Sequence, residues 1–451
     1  IHGTYAARFP KDEDQYEVYY VLQNAFHVTR TGSNVDVPVT IRRIPSHVTK
    51  YRIVYLEGRA LWADPVDTTT GAYTVEREAL SVLGATELSL DLEYNSLLLE
   101  AGDLGRGWSH NFEQRLEEQP DGTIKIYWSP SSHNIFFPKD HAMRHIYAEE
   151  IAGDTFQITE SELDCQQEYV TWVNGMHNSL LKRHDDGTYT LTSDSMNKYL
   201  FDASGQLSGM VDKNGRSITV ERPDPSILVV TEPVSGQTLT LNYNTEGLIT
   251  SVIDRAGRST TFTYSDSKSL TQITDPKGNT ITYTYDEDGR VLTGTDGEGV
   301  TFLNNTYDSQ GRVASQVDGE GGITRFSYDE TSEFWRTVVT ITDRNGNTRK
   351  HVTNRVGQLV RIEDELGRIT HFTYDGEGNR TSEVEPNGNA TIYTYDDRGN
   401  MLSVSDAEGT KTAMSYDENN NVLTLTNADG KDVVNTYDER NLLVSTLEIN
   451  G

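Results

Sequence analysis

A short phrase built around Tyr-Asp-x-x-Gly-Arg recurs through the C-terminal half of this chain about every 21 residues. The steps between successive copies are 21, 21, 22, 21, 46, 21, 21 and 21, and the long step covers two periods with a degenerate copy near His351. A fixed period of this size predicts one supersecondary unit that is stacked many times. The intact or degraded copies begin at Tyr243, Tyr264, Tyr285, Tyr307, Tyr328, Tyr374, Tyr395, Tyr416 and Tyr437.

Each repeat has the pattern of one β-hairpin. In residues 280–285 (TITYTY) large side chains alternate with threonines, so a strand here carries its rings on one face. A tight turn follows, with Asp at its first position bonding its own backbone and Gly at its fourth in the left-handed conformation. A second Asp-x-x-Gly turn comes about ten residues later, as at Asp275 and Asp296. Chained hairpins predict an all-β protein with a long antiparallel sheet that twists and curls.

The repeat supplies two sets of candidate residues. The first set forms the turns and is expected to be structural: Asp286, Gly289, Asp308, Gly311, Asp396 and Gly399. The second set is aromatic and is expected to stack into a ladder, whose cross-strand pairs contribute about 0.2–1 kcal/mol each. Exposed rings also stack on sugar rings, so the same ladder is a candidate binding surface: Tyr264, Tyr285, Tyr328, Tyr374, Tyr395 and Trp335.

The chain divides into four segments by pattern. Residues 1–60 predict a short β-strand segment of uncertain affiliation, and residues 61–118 form a separate block that contains PVDTTTG and LGRGWSHNFE. We call residues 61–118 the anchor block. Residues 119–240 predict degenerate hairpin repeats, and residues 241–451 predict the regular repeats of about 21 residues. The residues expected to anchor the block on the sheet are Pro65, Gly71, Gly105 and Trp108.

Composition limits the possible partners. The formal net charge is -30, which argues against nucleic acid and against an anionic membrane surface, because both attract basic patches. No run of 18 apolar residues is present, so no membrane insertion is expected. The single cysteine, Cys165, leaves the compartment open. The chain starts at Ile1 and stops at Gly451 just after another repeat begins, so we expect a fragment of a longer polypeptide.

The repeat phrases YDEDGRVL, YDSQGRV, YDGEGNR, YDDRGNML and YDENNNVL resemble those of the YD-repeat (RHS-repeat) family, and the anchor block resembles the lead-in of its bacterial members. The resemblance covers roughly residues 61–451. It implies a spiral β-sheet that forms a shell or part of one. The family includes bacterial polymorphic toxins, wall-associated proteins, insecticidal toxin-complex subunits and teneurins. In its toxin members the shell encloses a C-terminal toxic domain.

Three functions remain open at this point. The first is a non-enzymatic shell scaffold from a larger bacterial secreted or cell-surface protein, whose partners are its flanking domains, including a toxin or enzyme domain. The second is a cell-wall or polysaccharide-binding module, and the third is an enzyme that acts on a polysaccharide. We identify no catalytic residue and no metal ligand set, because the abundant acidic residues occupy turn positions. No cofactor is expected, although acidic turns leave calcium open.

Overall fold

The computed structural model describes residues 65–138, 167–171, 176, 179–329, 337–354 and 356–449 in full. It also gives the backbone of strands at 15–22, 24–31, 39–42, 61–62, 143–152 and 155–162. Trp335 and Cys165 lie outside the described residues, as does most of the 1–60 segment.

The described residues form strands, turns and loops, with no helix among them. The strands before the main repeats are β1 (Gln15–Leu22), β2 (Asn24–Thr31), β3 (Val39–Arg42), β4 (Leu61–Trp62), β5 (Val66–Asp67), β6 (Ala72–Val82), β7 (Leu88–Asn95), β8 (Ala101–Gly102), β9 (Gly105–Arg106), β10 (Trp108–His110), β11 (Arg115–Glu118), β12 (Ile124–Ser129), β13 (Ser132–Pro138), β14 (Met143–Ala152), β15 (Thr155–Glu162), β16 (Glu168–Val170), β17 (Leu180–Arg183), β18 (Tyr189–Thr192), β19 (Lys198–Phe201), β20 (Leu207–Val211), β21 (Ser217–Asp224) and β22 (Ile227–Glu232).

The regular repeats supply the remaining strands. They are β23 (Gln237–Tyr243), β24 (Ile249–Asp254), β25 (Ser259–Tyr264), β26 (Leu270–Thr274), β27 (Thr280–Tyr285), β28 (Val291–Asp296), β29 (Thr301–Tyr307), β30 (Val313–Asp318), β31 (Ile323–Asp329), β32 (Thr337–Thr342), β33 (Thr348–Thr353), β34 (Leu359–Glu363), β35 (Ile369–Tyr374), β36 (Arg380–Val384), β37 (Ala390–Tyr395), β38 (Met401–Ser405), β39 (Lys411–Tyr416), β40 (Val422–Thr426), β41 (Asp432–Tyr437) and β42 (Leu443–Ile449).

One antiparallel sheet of 30 strands dominates the fold. It runs β11-β12-β13, passes directly to β16, and then continues in chain order to β42. The anchor block supplies a separate five-stranded sheet in the order β10-β7-β6-β5-β4, and smaller sheets pair β1 with β2, β8 with β9, and β15-β14-β3. The predicted all-β sheet of chained hairpins is therefore confirmed. Because β11 lies in the anchor block and already belongs to the main sheet, the boundaries between the four predicted segments stay predictions.

The Asp-x-x-Gly turn sets the register of each hairpin. The Gly289 amide donates to the carbonyl of Asp286 at 3.1 Å, and Gly289 has a φ of 88°. The Asp286 carboxylate accepts from the amides of Asp288 and Arg290 at 3.1 and 2.8 Å. A β-bulge follows, so that Tyr285 faces Val291 across the hairpin. A bulge at this point increases the local twist of the sheet, and its repetition curls the sheet.

The sheet curls far enough to touch itself. The side-chain amide of Asn441 donates to the carbonyl of Lys213 at 2.7 Å, and that of Asn420 donates to the carbonyl of Asp194 at 3.0 Å. These partners lie 228 and 226 residues apart along the chain. Successive turns alternate between the two long edges of the sheet. Because an odd number of strands, β21 to β41, lies between Lys213 and Asn441, the two turns that meet are on opposite edges. The sheet is thus a spiral ribbon, and we call one circuit of it a wrap.

The anchor block lies inside the first wrap. Its contacts extend from β17 and β18, where Arg183 and Tyr189 bind Glu118, to β33, where the Thr68 hydroxyl is 2.9 Å from Nδ1 of His351. A compact block can contact so much of the circuit only from within it. Val66 and Trp108 of the block belong to one buried cluster with Leu239 and Ile341 of the sheet. The first wrap is therefore filled, and its core is shared between ribbon and block.

Candidate functional site on the tyrosine face

Eight of the nine YD tyrosines, all except Tyr243, share one hydrogen bond, which defines the inner face of the ribbon. Each hydroxyl donates to the carbonyl of the first strand residue after the YD turn of the preceding repeat. Tyr264 reaches Ile249 at 2.6 Å, and Tyr395 reaches the carbonyl of Arg380 at 3.0 Å. The remaining members are Tyr285, Tyr307, Tyr328, Tyr374, Tyr416 and Tyr437. The rings tie neighbouring hairpins together, and we call this surface the tyrosine face.

The anchor block binds the amides of the same backbone positions. The Ile249 amide donates to the carbonyl of Asp103 at 2.8 Å, and the Val313 amide donates to the carbonyl of Gly71 at 2.8 Å. The Val291 amide donates to the hydroxyl of Tyr94 at 2.9 Å. In these repeats the residue after the turn gives its carbonyl to a tyrosine and its amide to the block. Backbone groups that the bulge removes from the ladder are thereby satisfied.

Two of the four predicted anchors are glycines that let the backbones approach. Gly105 has a φ of 86°, and a Cβ there would stand 2.2 Å from the carbonyl oxygen of Lys268. Gly71 has a φ of 80°, and a Cβ there would stand 2.6 Å from Cβ of Arg312. No other residue type fits such positions without movement of the backbone or of the neighbouring side chain.

Trp108 stands at the centre of the contact, while Pro65 lies at its margin. The Trp108 side chain is fully buried, and its indole N–H donates to the hydroxyl of Tyr285 at 3.0 Å. Its ring centroid lies 5.1 Å from that of Tyr94 and 5.3 Å from that of Tyr283. Pro65 accepts a bond from the Thr74 amide at 3.1 Å and is half-buried. Trp108 thus joins the aromatic residues of both layers.

The turn residues also support the tyrosine face. Asp308 binds the guanidinium Nε of Arg312 at 2.9 Å, and this guanidinium lies 4.2 Å from the ring centroid of Tyr328. Gly311 has a φ of 81°. At the later turn, Asp396 holds the side-chain amide of Asn400 at 3.0 Å where the earlier repeats have arginine. The Asp and Gly positions therefore keep their geometry, while the residue after Gly changes its contacts along the ribbon.

A partly buried polar cluster joins the block to the sheet, and the sequence pattern did not single it out. The Tyr243 hydroxyl donates to Asp103 at 3.1 Å, and the Asp103 amide donates to Glu113 at 3.1 Å. Nε2 of His110 lies 3.7 Å from the Asp103 carboxylate, while its Nδ1 accepts from the Phe112 amide. Burial raises the pKa of Glu113 to about 7. Burial also acts to raise the pKa of Asp103, but His110 and Tyr243 hold it below its ordinary value.

This cluster spans residues with no regular spacing, so only the three-dimensional contact reveals it. The Glu113 carboxylate accepts the amides of Asp103 and His110, and the Asp103 carboxylate accepts the Tyr243 hydroxyl, which fixes the loop that carries Asp103 against the sheet. In the described part of the chain, no group of three or more His, Cys, Asp or Glu side chains is arranged to hold a metal ion. A calcium requirement stays a prediction for solution measurement. The described residues also include no helix with the length and apolar character needed to cross a membrane.

The tyrosine face changes character where the block ends. Tyr264, Tyr285 and Tyr328 pack against the core that ribbon and block share. Tyr374 and Tyr395 are half-buried like these three, but they follow the block contact at His351 and do not belong to the shared core. The ribbon advances by its own width in each wrap, which carries these later strands past the block. The prediction that the aromatic ladder binds a ligand therefore applies to its later part, and it stays a prediction.

Comparisons with known proteins agree with the repeat pattern. Family profiles match residues 63–137 (Domain of unknown function, DUF6531), residues 183–302 (Teneurin YD-shell) and residues 307–348, 354–390 and 395–432 (RHS Repeat). No curated protein matches the chain.

Solved structures with a similar fold include two toxin complexes. The crystal structure of TcdB2-TccC3-TEV is 11% identical over 87% of this chain and 25% of that chain, with a TM-score of 0.36. A Photorhabdus luminescens Tc holotoxin pore is 12% identical over 79% of this chain and 24% of that chain, with a TM-score of 0.27. The chain therefore spans about a quarter of the length of these two proteins.

Proposed function

We propose that this chain, an RHS/YD-repeat protein, forms the filled end of a β-shell that encloses or presents another domain of a longer bacterial polypeptide. One observation carries the proposal: the ribbon closes on itself around the anchor block, and its tyrosine face then continues past the block with no second layer over it among the fully described residues. A filled end with an open inner face suits a container. The enclosed partner is a flanking domain of the same polypeptide, such as a toxin or enzyme domain, and the whole protein is secreted or displayed at the cell surface.

The scaffold role is non-enzymatic in this proposal. The turn aspartates bind their own backbone amides, as Asp286 and Asp396 do, so their carboxylates are committed to structure. The carboxylates of Asp103 and Glu113 are likewise engaged, because Glu113 accepts two backbone amides and Asp103 accepts the Tyr243 hydroxyl. General acid–base chemistry needs carboxylates that can reach a substrate.

Protease protection in the native polypeptide tests the enclosure. The parent protein and its flanking domain expressed by itself are digested under identical conditions, and fragments are followed by mass spectrometry. We expect the flanking domain to resist cleavage when attached to the shell and to be cleaved when free. Equal cleavage rates in the two forms would contradict enclosure. Secretion is followed in the same cultures by comparing the medium, the cell envelope and the cytosol.

A polysaccharide-binding role is the second candidate, and the half-buried Tyr374 and Tyr395 favour it, since accessible rings can stack on sugars. Retention of the chain on insoluble cell-wall and plant polysaccharides, with and without calcium, tests this role. A retained glycan would then be assayed for cleavage. If the double variant Tyr374→Ala/Tyr395→Ala is retained as well as the unchanged chain, the tyrosine face is not the surface that binds the glycan.

A further inference from the structure

The later part of the tyrosine face carries a continuous uncharged strip. Across β37 and β38, Tyr393 faces Val404 and Tyr395 faces Met401. Across β39 and β40, Met414 faces Leu425 and Tyr416 faces Val422. We call these eight residues the inner strip. All eight are half-buried, whereas the first-wrap equivalents of Met401 and Val422, which are Ile249, Leu270, Val291 and Val313, are fully buried.

The backbone beneath the inner strip repeats the arrangement that binds the block in the first wrap. The Met401 and Val422 carbonyls accept the hydroxyls of Tyr416 and Tyr437 at 2.8 and 2.9 Å. In the first wrap the amides at the equivalent positions, Ile249 and Val313, donate to backbone carbonyls of the block. No block residue that the structure describes reaches Met401 or Val422. The later strands thus present the same backbone groups as the interface between ribbon and block, but no described block residue contacts them.

We propose that the inner strip binds an extended polypeptide segment, which takes on the later strands the place that the block takes in the first wrap. This inference rests on the proposed function, because the segment is a part of the enclosed polypeptide. The bound segment offers one carbonyl or hydroxyl oxygen per hairpin to the amides of Met401 and Val422. Its apolar side chains pack between the tyrosines. Two strands span about 10 Å, so the oxygens are separated by about three extended residues.

The contacts between block and ribbon in the first wrap also favour a polypeptide over a glycan as the bound partner. The acceptors there are three main-chain carbonyls, of Gly71, Asp103 and Gln114, and one tyrosine hydroxyl. The tyrosine hydroxyls of the face already donate to the ribbon, which leaves them fewer bonds to offer to sugar hydroxyls. Burial of uncharged side chains against rings also suits a peptide with apolar residues.

Site-specific photocrosslinking of the full 451-residue chain tests the proposal. One variant carries p-benzoylphenylalanine in place of Met414, on the inner strip. The matched variant carries it in place of Ser415, the next residue, which lies on the opposite face and bonds Thr424. A third carries it in place of Val444, on the exposed last strand β42. The probes are a fluorescein-labelled peptide with the sequence of residues 88–112, which contacts the first wrap, and an N-acetylglucosamine hexasaccharide.

We expect at least tenfold more crosslinked peptide at position 414 than at 415 or 444, with loss of most of this signal in the Leu425→Glu background. Crosslinking that is equal at 414 and 415, or that occurs only at 444, would overturn the proposal. Capture of the hexasaccharide in place of the peptide at 414 would also overturn it in favour of the glycan. If the peptide fails while the flanking domain of the parent protein stays protease-resistant, the inner strip is refuted and enclosure stands.

Discussion

Two stretches of one sheet, residues 241–353 against the anchor block and residues 356–449 beyond it, use the same repeat in different surroundings. The turn of Asp308 and the turn of Asp396 have the same backbone bonds, and the hydroxyls of Tyr328 and Tyr395 reach carbonyls at 2.8 and 3.0 Å. Yet Val313 is fully buried, while its equivalent in a later hairpin, Val422, is half-buried. The repeat alone therefore determines the hairpin, and burial depends on a second layer.

The largest expected difference is in the loss of unfolding free energy when the same repeat position is changed to alanine in each of the two stretches. Tyr283 is buried against Trp108, and Tyr393 occupies the same place in a half-buried hairpin. We expect Tyr283→Ala to reduce the free energy of unfolding by about 3–5 kcal/mol and Tyr393→Ala by about 1–2 kcal/mol, because a large cavity forms only in the first case. Chemical denaturation of both variants measures this. Equal losses would show that the block adds nothing to the stability of the ribbon.

A pair of glycines isolates the close approach of block and ribbon. Gly105 and Gly388 both have positive φ, but a Cβ at Gly388 meets nothing within 4 Å. We expect Gly388→Ala to cost about 1–2 kcal/mol from backbone strain alone. Gly105→Ala has the same strain and also clashes with the Lys268 carbonyl, so we expect a loss of about 3 kcal/mol. Thermal unfolding compares the two, and a smaller loss for Gly105→Ala would contradict the packing described.

The pH dependence should also separate the stretches. The folded protein holds a proton on Glu113 up to about pH 7, whereas the ordinary value is 4.5. The unfolded state therefore binds fewer protons in this window, and the free energy of unfolding should fall as the pH rises from 4.5 to 7, on the order of 2 kcal/mol. Glu113→Gln should flatten this change. A slope that persists in the variant would assign it to another group.

Below pH 4 both stretches should lose stability together. Burial acts to raise the pKa values of Asp308 and Asp396, but turn hydrogen bonds from Arg312 and Asn400 hold them below 3.8. Their contribution is present above the ordinary value and is lost as the pH falls through the lowered one. Hydrogen exchange of amides in both stretches at pH 3 and pH 5 distinguishes this shared acid loss from the neutral change at Glu113.

The smallest expected effect concerns the contact between wraps. Asn420 and Asn441 stand at the left-handed turn position that glycine holds elsewhere, with φ of 61° and 59°. Replacing both by glycine keeps this backbone conformation and removes the bonds to Asp194 and Lys213, together with the bonds accepted from Asn400 and Asn421 of the preceding turns. We expect a loss of about 1 kcal/mol per bond and faster hydrogen exchange at the two turns only. Unchanged exchange would show that the wraps are held by other contacts.

The sequence predicted the hairpins well because their causes are local. An Asp and a Gly three residues apart determine a turn, and alternating rings determine a strand face. The sequence did not show that Asp103, Glu113 and Tyr243 meet, because 140 residues separate Asp103 from Tyr243 and no periodicity relates them. It also treated the tyrosines as one uniform ladder. Burial along the aromatic ladder differs, as between Tyr283 and Tyr393, and this difference arises from the position of the block in the spiral, which no single repeat encodes.

The contact between Asn441 and Lys213 fixes the bore of this end of the protein. Roughly twenty strands, β21 to β41, complete the circuit, and at about 4.8 Å per strand the perimeter is about 100 Å and the diameter about 30 Å. Inward side chains narrow this further. A folded domain of 100 residues has a radius of gyration of about 13 Å. Its full diameter is larger than twice this value, so the domain is wider than the opening once the inward side chains are included. Even without the anchor block, a folded domain of this size could not pass through this end, and a polypeptide would fit only in an unfolded form.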